Sequence, residues 1–259
     1  MRRLVIGDVH GNLPALTSAL ERCQYTPGDH LFFLGDYIDR QPHSYEVVEF
    51  ILSLPHKICI RGNHDQFLID HVLQPGSIKP LESRWLKNGG WDTLRSYGMD
   101  VMEIEEGRLA TKGDFPESHL EFLESTLPYF ITDDNIPLVH GGLDLYLRSH
   151  PEAFYWWDRT MWRTAVKLEH ERSGQQISYS KGQEDEQQQI PFNTADTYPC
   201  FETFPLVFIG HTNLLSHPNQ ELCLPQKCMN IWNLDTGAAY QGPLTIMDMD
   251  TGEFWQSGS

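Results

Sequence analysis

Short runs of apolar residues alternate with longer amphipathic stretches along the first third of the chain. The runs at 4–6, 31–34 and 57–60 are as short as buried strands usually are, and a glycine follows each of them closely. Between these runs, apolar residues recur at helical spacing over 13–23 and 47–54. A strand, a polar loop and a helix that repeat in this order predict a parallel α/β sheet. In such a sheet, ligands bind beyond the carboxyl ends of the strands.

The remainder of the chain predicts a mostly helical middle, at about 77–127, followed by more strands. These strands are predicted at 136–139, 206–209 and 231–234, with a final hairpin of 244–249 and 253–256. The segment at about 169–199 is rich in Gln, Glu, Ser and Lys and poor in aliphatic residues. This composition is typical of a solvated loop insertion, and the alternative is a lid or specificity loop over an active site.

Charge and composition narrow the range of partners. The 259 residues include 19 Lys and Arg against 36 Asp and Glu, which gives a net charge of −17. A field of this sign repels nucleic acid and anionic membranes. No apolar run approaches the ~20 residues that cross a bilayer, and the apolar stretch after Met1 is too short for a signal peptide. Five irregularly spaced cysteines favour free thiols in a reducing compartment. We therefore expect a cytoplasmic protein without nucleic-acid or membrane partners, and its oligomeric state stays open.

Five of the predicted strands end in loops that combine glycine with residues of the metal-binding types. The candidate ligands in these loops are Asp8, His10, Asp36, Asn63, His140 and His211. One such loop is usually no more than a capped turn, but five that meet at one sheet edge predict a metal site. Oxygen and imidazole donors without cysteine suit Mn²⁺, Fe or Zn²⁺. Six donors exceed the need of one ion with an open position, so we predict two divalent ions that share one carboxylate.

Three blocks in this order resemble the motifs of the calcineurin-like metallophosphoesterases. The blocks are Asp8-x-His10, Gly35-Asp36-x-x-Asp39-Arg40 and Gly62-Asn63-His64-Asp65. The Asp-Arg pair of the middle block is similar to that of the phosphoprotein phosphatase family. Likeness to the compact bacterial and phage type of that family extends to 85–91, 208–212 and 235–238. Two positions depart from the usual motif, because Gln41 replaces a glycine and Asp65 replaces a glutamate; neither is an expected ligand.

The resemblance implies a central two-sheet β-sandwich flanked by helices, in a single catalytic domain over 1–259. It implies that one ion, Mn²⁺ in the first instance, is held by Asp8, His10 and Asp36. The second ion would be held by Asp36, Asn63, His140 and His211, with Asp36 as the bridge. A solvent molecule shared by the two ions would lose a proton near neutral pH and attack phosphorus.

The resemblance also implies roles for residues that hold no metal. His64 would be the general acid for the leaving oxygen, and Asp39 would accept the other ring proton of His64. Arg40 would bind the substrate phosphate through two donors. A second phosphate-binding arginine is expected further along the chain. We assign it to Arg159 in Trp157-Asp158-Arg159, with Arg163 as the alternative.

The resemblance, together with the predicted metal site, implies a metal-dependent protein phosphatase that acts on phosphoserine and phosphothreonine in a protein or peptide. Phosphotyrosine and small aryl phosphates are expected substrates as well, because an open site reads mainly the phosphate. The first alternative is a nucleotide hydrolase similar to symmetrical diadenosine tetraphosphatase, which shares the metal blocks. The second alternative is a non-catalytic protein that keeps the metals and phosphate contacts as a sensor.

Overall fold

Two five-stranded sheets form the centre of the molecule in the computed structural model, which describes residues 1–73, 83–143, 152–173, 200–214 and 223–258. The strands are β1 (Arg3–Ile6), β2 (His30–Phe33), β3 (Lys57–Cys59), β4 (Tyr129–Ile131), β5 (Pro137–Val139), β6 (Val207–Ile209), β7 (Gln226–Cys228), β8 (Ile231–Asn233), β9 (Thr245–Asp248) and β10 (Phe254–Gln256). The helices are α1 (Leu13–Arg22), α2 (Ser44–Ser53), α3 (Asn63–Leu73), α4 (Trp91–Ser96), α5 (Val101–Glu105), α6 (Glu117–Ser125), α7 (Ala153–Trp157), α8 (Thr160–Ser173) and α9 (Cys200–Thr203).

Both sheets combine three parallel strands with two antiparallel ones, which lie on one side of the first sheet and at the two edges of the second. The first has the order β10-β9-β1-β2-β3, in which β1, β2 and β3 run parallel and β9 and β10 are antiparallel. The second has the order β4-β5-β6-β8-β7, in which β5, β6 and β8 run parallel and both edge strands are antiparallel. The ends of β1, β2 and β3 therefore lie side by side, as do those of β5, β6 and β8.

The two sheets pack face to face because each central strand is apolar on both faces. In β1, Leu4 and Ile6 pack with the helices of the N-terminal half, whereas Val5 between them packs toward the second sheet. In β6, Phe208 packs toward the first sheet, and its neighbours Val207 and Ile209 pack among residues of α7, α8 and α9. Strands buried on both faces read as continuous apolar runs, which explains the sequence pattern. The predicted sandwich flanked by helices is confirmed.

The strands that the apolar runs predicted are all present, within one or two residues at each end. Two strands, β4 and β7, were not predicted. Both lie at an edge of the second sheet. β7 contains Gln226 and Lys227 and so forms no apolar run, whereas β4 is apolar but only three residues long. The described part of the middle segment is helical as expected, with an additional wide turn at Leu86–Gly90 and a 3₁₀ turn at Lys112–Asp114.

The structure describes only the first five residues of the predicted insertion at 169–199. Residues 169–173 form the last turn of α8 rather than a loop, with an ion pair between Glu169 and Arg172. Residues 174–199, and with them the choice between a loop and a lid, lie outside the described residues. The four cysteines whose side chains are described are free thiols. Within the described ranges, no helix is long and apolar enough to span a membrane.

The interface between the sheets should dominate the stability of the fold. Phe208 is 1% exposed and lies in this interface, so Phe208→Ala should lower the free energy of unfolding by about 3–5 kcal/mol. Met102→Ala, at a position 60% exposed on α5, serves as the control and should change it by less than about 0.5 kcal/mol. Urea unfolding followed by circular dichroism measures both. Similar losses for the two variants would contradict this account of the core.

Candidate metal centre

Side chains from the ends of five strands meet in one buried cluster between the two sheets. Two groups in it have ligand atoms that lie within 4.8 Å of one another. The first group contains His10, Asp36 and His64, and the second contains Asp8, Asp36 and His140. All five side chains are at most 3% exposed. The structure thus brings Asp8, His10, Asp36 and His140 together as the sequence pattern predicted, with Asp36 common to both groups.

Two histidines of the cluster are held so that one ring nitrogen points at carboxylates. The Nδ1 atom of His10 donates to the carbonyl oxygen of Ile38 at 3.0 Å, and that of His140 donates to the carbonyl oxygen of Leu34 at 2.8 Å. His10 Nε2 lies 3.2 Å from Asp36 Oδ2, whereas His140 Nε2 lies 3.4 Å from Asp36 Oδ1. A backbone acceptor on one nitrogen fixes the tautomer that leaves the other free to bind a metal. Each oxygen of Asp36 therefore faces a different histidine.

Asn63 and His211 lie beside this cluster. Asn63 Oδ1 is 3.2 Å from His140 Nε2. The ring of His211 is 4.9 Å from that of His140, and the His211 backbone N–H donates to Asp8 Oδ2 at 3.1 Å. The Nε2 atom of His211 points toward the carbonyl oxygen of Trp157 at 3.3 Å, which leaves Nδ1 as its available donor atom. All six predicted ligands are therefore near one another.

The cluster concentrates negative charge in a buried space. Burial and the nearby Asp235 raise the pKa of Asp8 well above its ordinary value. Burial would also raise the pKa of Asp36, but His140, His64 and His10 hold it well below its ordinary value. Burial would lower the pKa of His140, yet Asp36 and Asp8 raise it to about 9. Buried carboxylates are costly unless a cation compensates them. Carboxylate, amide and imidazole donors without a thiolate fit hard or borderline divalent ions.

Two other histidines are held in the neutral form that a metal ligand needs. Burial lowers the pKa of His10 to about 4. Burial also lowers the pKa of His211 well below its ordinary value, and the charges of Arg159 and His140 add to the shift. A neutral imidazole keeps a lone pair for coordination, whereas an imidazolium has none. The donor chemistry of the cluster therefore fits metal ions.

Close packing at the cluster depends on glycine and on an unusual backbone. A Cβ atom at Gly62 would collide with Asp36 Oδ1, and one at Gly210 would collide with Asp8 Oδ1. Five residues of the site have a positive φ, and these are His10, Asp36, Asp39, Arg40 and His211. They make up five of the eight non-glycine residues with positive φ in the described chain. Such strain persists only where the surrounding structure enforces it, and it concentrates at functional sites.

His64 is fixed at the edge of the cluster by a buried carboxylate. Its Nδ1 atom donates to Asp39 Oδ2 at 2.6 Å, and its ring packs at 4.7 Å edge-on to that of His10. Asp39 is fully buried and also accepts hydrogen bonds from the Trp85 indole N–H at 3.0 Å and the Thr93 hydroxyl at 2.5 Å. The Asp39–His64 pair that the motifs predicted is therefore present. Sequence reasoning missed Trp85 and Thr93 as its supports.

The predicted arginines lie at different distances from the cluster. Arg40 Nη2 donates to His64 Nε2 at 3.0 Å, and its Nη1 atom lies 3.4 Å from His10 Nε2. Its backbone N–H donates to the carbonyl oxygen of Gly89 in the wide turn at 3.2 Å. Arg159 is half-buried, and its charge acts on His211, whereas Arg163 is exposed one turn later on α8. These positions favour Arg159 over Arg163 as the second phosphate contact.

Asp65, which replaces the glutamate of the usual motif, has a structural role that the sequence did not predict. It is fully buried, and its carboxylate accepts hydrogen bonds from the backbone N–H groups of Asp36 and Gly62, both at 2.8 Å, and of Tyr37 at 2.9 Å. Asp65 therefore ties the loop after β2 to the loop after β3 and fixes the backbone that carries Asp36. The only sequence signal for this role was its place directly after His64.

The family comparison agrees with this architecture. Residues 1–214 match the model of the calcineurin-like phosphoesterases, so the chain belongs to that family. Members of the family use a dinuclear centre of divalent metal ions, and the cluster supplies candidate ligands for one. The resemblance that the three motif blocks indicated is therefore confirmed at the level of the family.

Individual relatives are more distant. A protein of Pseudomonas putida named symmetrical bis(5'-nucleosyl)-tetraphosphatase is 37% identical over 71 residues, which are 27% of this chain and 25% of that protein. The chain thus spans about a quarter of the length of the curated relatives it matches. Among solved structures, a putative diadenosine tetraphosphatase has a TM-score of 0.57 at 16% identity, with 98% of this chain and 92% of that one covered. A metallophosphoesterase from Sphaerobacter thermophilus has a TM-score of 0.55 at 22% identity, with 100% and 89% covered. These two structures share the fold with this chain.

The role of Asp65 can be tested by a change that keeps its size. Asp65→Asn replaces one carboxylate oxygen by an NH₂ group that faces a backbone N–H, so the free energy of unfolding should fall by about 1–3 kcal/mol. Asp70→Asn, at a partly exposed carboxylate on the same helix, is the matched control and should have a smaller effect. Chemical unfolding in the presence of chelator measures both variants without a contribution from metal. Equal stability of Asp65→Asn and wild type would remove Asp65 from this role.

Proposed function

We propose that this chain hydrolyses phosphate monoesters with the help of two divalent metal ions, and that it acts on phosphoserine and phosphothreonine in proteins. The observation that carries the proposal is the hydrogen-bonded pair of Asp39 and His64, which lies at the edge of the buried cluster of candidate metal ligands with Arg40 beside it. This arrangement offers a positioned acid and a phosphate-binding guanidinium next to the cluster. A structural metal site would need neither.

We propose that Asp8, His10 and Asp36 hold one ion and that Asp36, Asn63, His140 and His211 hold the other, with Asp36 as the bridge. The contacts of Asp36 Oδ2 with His10 and of Asp36 Oδ1 with His140 support this division. A metal pair bound there supplies an activated water and neutralises charge on the phosphate. Of the ions that suit this donor set, we propose Mn²⁺ as the first to test.

His64 serves in this proposal as the general acid. Asp39 accepts the Nδ1 proton, so Nε2 is the atom at which His64 gains and gives up a proton toward the leaving oxygen. In the structure this Nε2 accepts a hydrogen bond from Arg40 Nη2. A phosphate that binds the guanidinium competes for these donors and frees Nε2 for a proton. Arg159, near His211, serves as the second phosphate contact.

A nucleotide hydrolase of the diadenosine tetraphosphatase type is the second candidate. It is favoured by the curated relatives that carry this name over a stretch of about 70 residues. Steady-state kcat/KM for a phosphothreonine peptide and for diadenosine tetraphosphate, measured with the same Mn²⁺-supplied protein, decides between the two. A higher value for the peptide supports the proposal, and a higher value for the dinucleotide replaces its substrate class. Binding of both without turnover would leave the sensor alternative.

Metal binding should release protons and strengthen as the pH rises. Asp36 and Asp8 raise the pKa of His140 to about 9, so His140 carries a proton at neutral pH that a metal ion must displace. Mn²⁺ binding near pH 7.5 should therefore release about one proton or more per protein and weaken toward lower pH. Calorimetry in buffers of different ionisation enthalpy counts these protons, and His140→Ala should release fewer. Release that is unchanged in His140→Ala would contradict this ligand assignment.

Loss of the proposed acid should depend on the leaving group. His64→Asn should reduce turnover of a phosphothreonine peptide by about 10²–10⁴-fold, because its alkoxide leaving group needs a proton. Turnover of p-nitrophenyl phosphate should fall less, because nitrophenolate leaves without one. His56→Asn is the control, since His56 is exposed at the start of β3, away from the strand ends. Equal losses on both substrates would exclude His64 as the acid.

A further inference from the structure

An exposed aromatic ring lies against the guanidinium of Arg40. The side chain of Tyr240 is 55% exposed, and Arg40 Cζ lies 5.0 Å from the centre of its ring. This distance is within the range of a cation–π contact. Arg40 also contacts His64 and His10. The ring of Tyr240 therefore lies at the rim of the site, with the Arg40 guanidinium between it and the two histidines. Neither the family motifs nor the proposed mechanism uses Tyr240.

The backbone that carries Tyr240 is fixed by side chains of the site loops. Asn12 Nδ2 donates to the carbonyl oxygen of Ala238 at 3.0 Å, and Gln41 Nε2 donates to that of Ala239 at 3.0 Å. The Tyr240 N–H donates to the carbonyl oxygen of Gly237 at 2.9 Å. Asn12 follows the first motif block, and Gln41 follows Arg40 directly. The ring is therefore attached to the loops that carry the site, and Gln41, the residue that replaces a motif glycine, is one of the attachments.

A ring held in this way can contact more than Arg40. An exposed tyrosine offers a large, rigid surface with few rotatable bonds, and a second aromatic ring packs well against it in an offset or edge-to-face arrangement. A phosphate bound by Arg40 brings the group that it esterifies to the same rim. A planar ring attached to that phosphate lies within reach of Tyr240, whereas the short alkyl chain of phosphoserine has no flat face to offer.

We infer that Tyr240 is a specificity-determining residue that packs against a planar aromatic group attached to the bound phosphate. This role makes the site prefer aromatic phosphate esters, which an open site that reads only the phosphate would not do. It rests on the proposed function to the extent that Arg40 binds phosphate. An alternative in which Tyr240 only orients Arg40 predicts the same effect on every phosphate ligand, with or without a ring.

The test compares the binding of two non-hydrolysable ligands, phenylphosphonate and methylphosphonate, to the Mn²⁺-loaded protein by calorimetry. Wild type should bind phenylphosphonate more tightly. Tyr240→Leu should reduce that preference by about 3- to 10-fold, the amount expected for one aromatic pair. Tyr240→Phe keeps the ring and should retain the preference. Phe254→Leu removes a different exposed ring, on edge strand β10, and should also retain it.

The outcomes separate this inference from the proposed function. Binding of both phosphonates with a preference that survives in Tyr240→Leu would overturn the role of Tyr240 and leave the phosphate site standing. An equal loss of affinity for both ligands in Tyr240→Leu would show that Tyr240 only positions Arg40. This result would also overturn the inference. Failure of wild type to bind either ligand would overturn both proposals.

Two natural compounds test whether the aromatic group that packs against Tyr240 is a tyrosine ring or a nucleobase. Steady-state kcat/KM values for O-phosphotyrosine and adenosine 5'-monophosphate are compared between wild type and Tyr240→Leu with the Mn²⁺-loaded protein. We expect the larger loss for O-phosphotyrosine, because its ring is bonded directly to the phosphate oxygen. A larger loss for the nucleotide would assign the contact to a nucleobase, which is still a planar aromatic group. Unchanged kcat/KM for both compounds would contradict the inference.

Discussion

The hydrogen bonds that Asp65 accepts from three backbone N–H groups are the constraint on which the cluster depends. They join the end of β2 to the end of β3 at Asp36, Tyr37 and Gly62, where Asp36 has a positive φ. A backbone in that conformation is costly and relaxes unless its surroundings hold it. One buried carboxylate satisfies all three donors and holds the backbone from which Asp36 presents one oxygen to His10 and the other to His140. The shape of the cluster therefore depends on a residue that is not itself a proposed ligand.

The same arrangement buries several carboxylates close together, and the protein alone does not compensate all of their negative charge. Asp8, Asp36 and Asp235 are buried within reach of one another, and burial raises the pKa of Asp8 and, to about 6, that of Asp235. A proton on His140 compensates part of this charge. Divalent cations would compensate more of it and would release that proton, so folding creates an affinity for metal. Stability and metal binding are then two consequences of one arrangement of charge.

Much of the fold and most of the cluster could be predicted because their signals are local in sequence. An apolar run followed within a few residues by Gly and Asp or His marks both a buried strand and its functional end, as at 4–8 and 206–211. The supports of the site lack such a signal. Thr93 is 54 residues from Asp39, and Trp85 is 46, so only the folded chain shows that both bind one carboxylate. The edge strand β7 was missed because an edge strand need not be apolar. The other missed edge strand, β4, is apolar but only three residues long.

Arg40 links the chemistry of the site to its rim. Its guanidinium donates to His64 Nε2 and lies against the ring of Tyr240, and its backbone has a positive φ and is bonded to Gly89. A guanidinium has five N–H donors and a flat face, so binding to phosphate oxygens in its plane does not exclude a ring on that face. A phosphate can therefore take the donors that His64 now shares while Tyr240 keeps its contact. A phosphate bound by Arg40 would therefore free His64 Nε2 for a proton, and it would also place its ester group beside the ring of Tyr240.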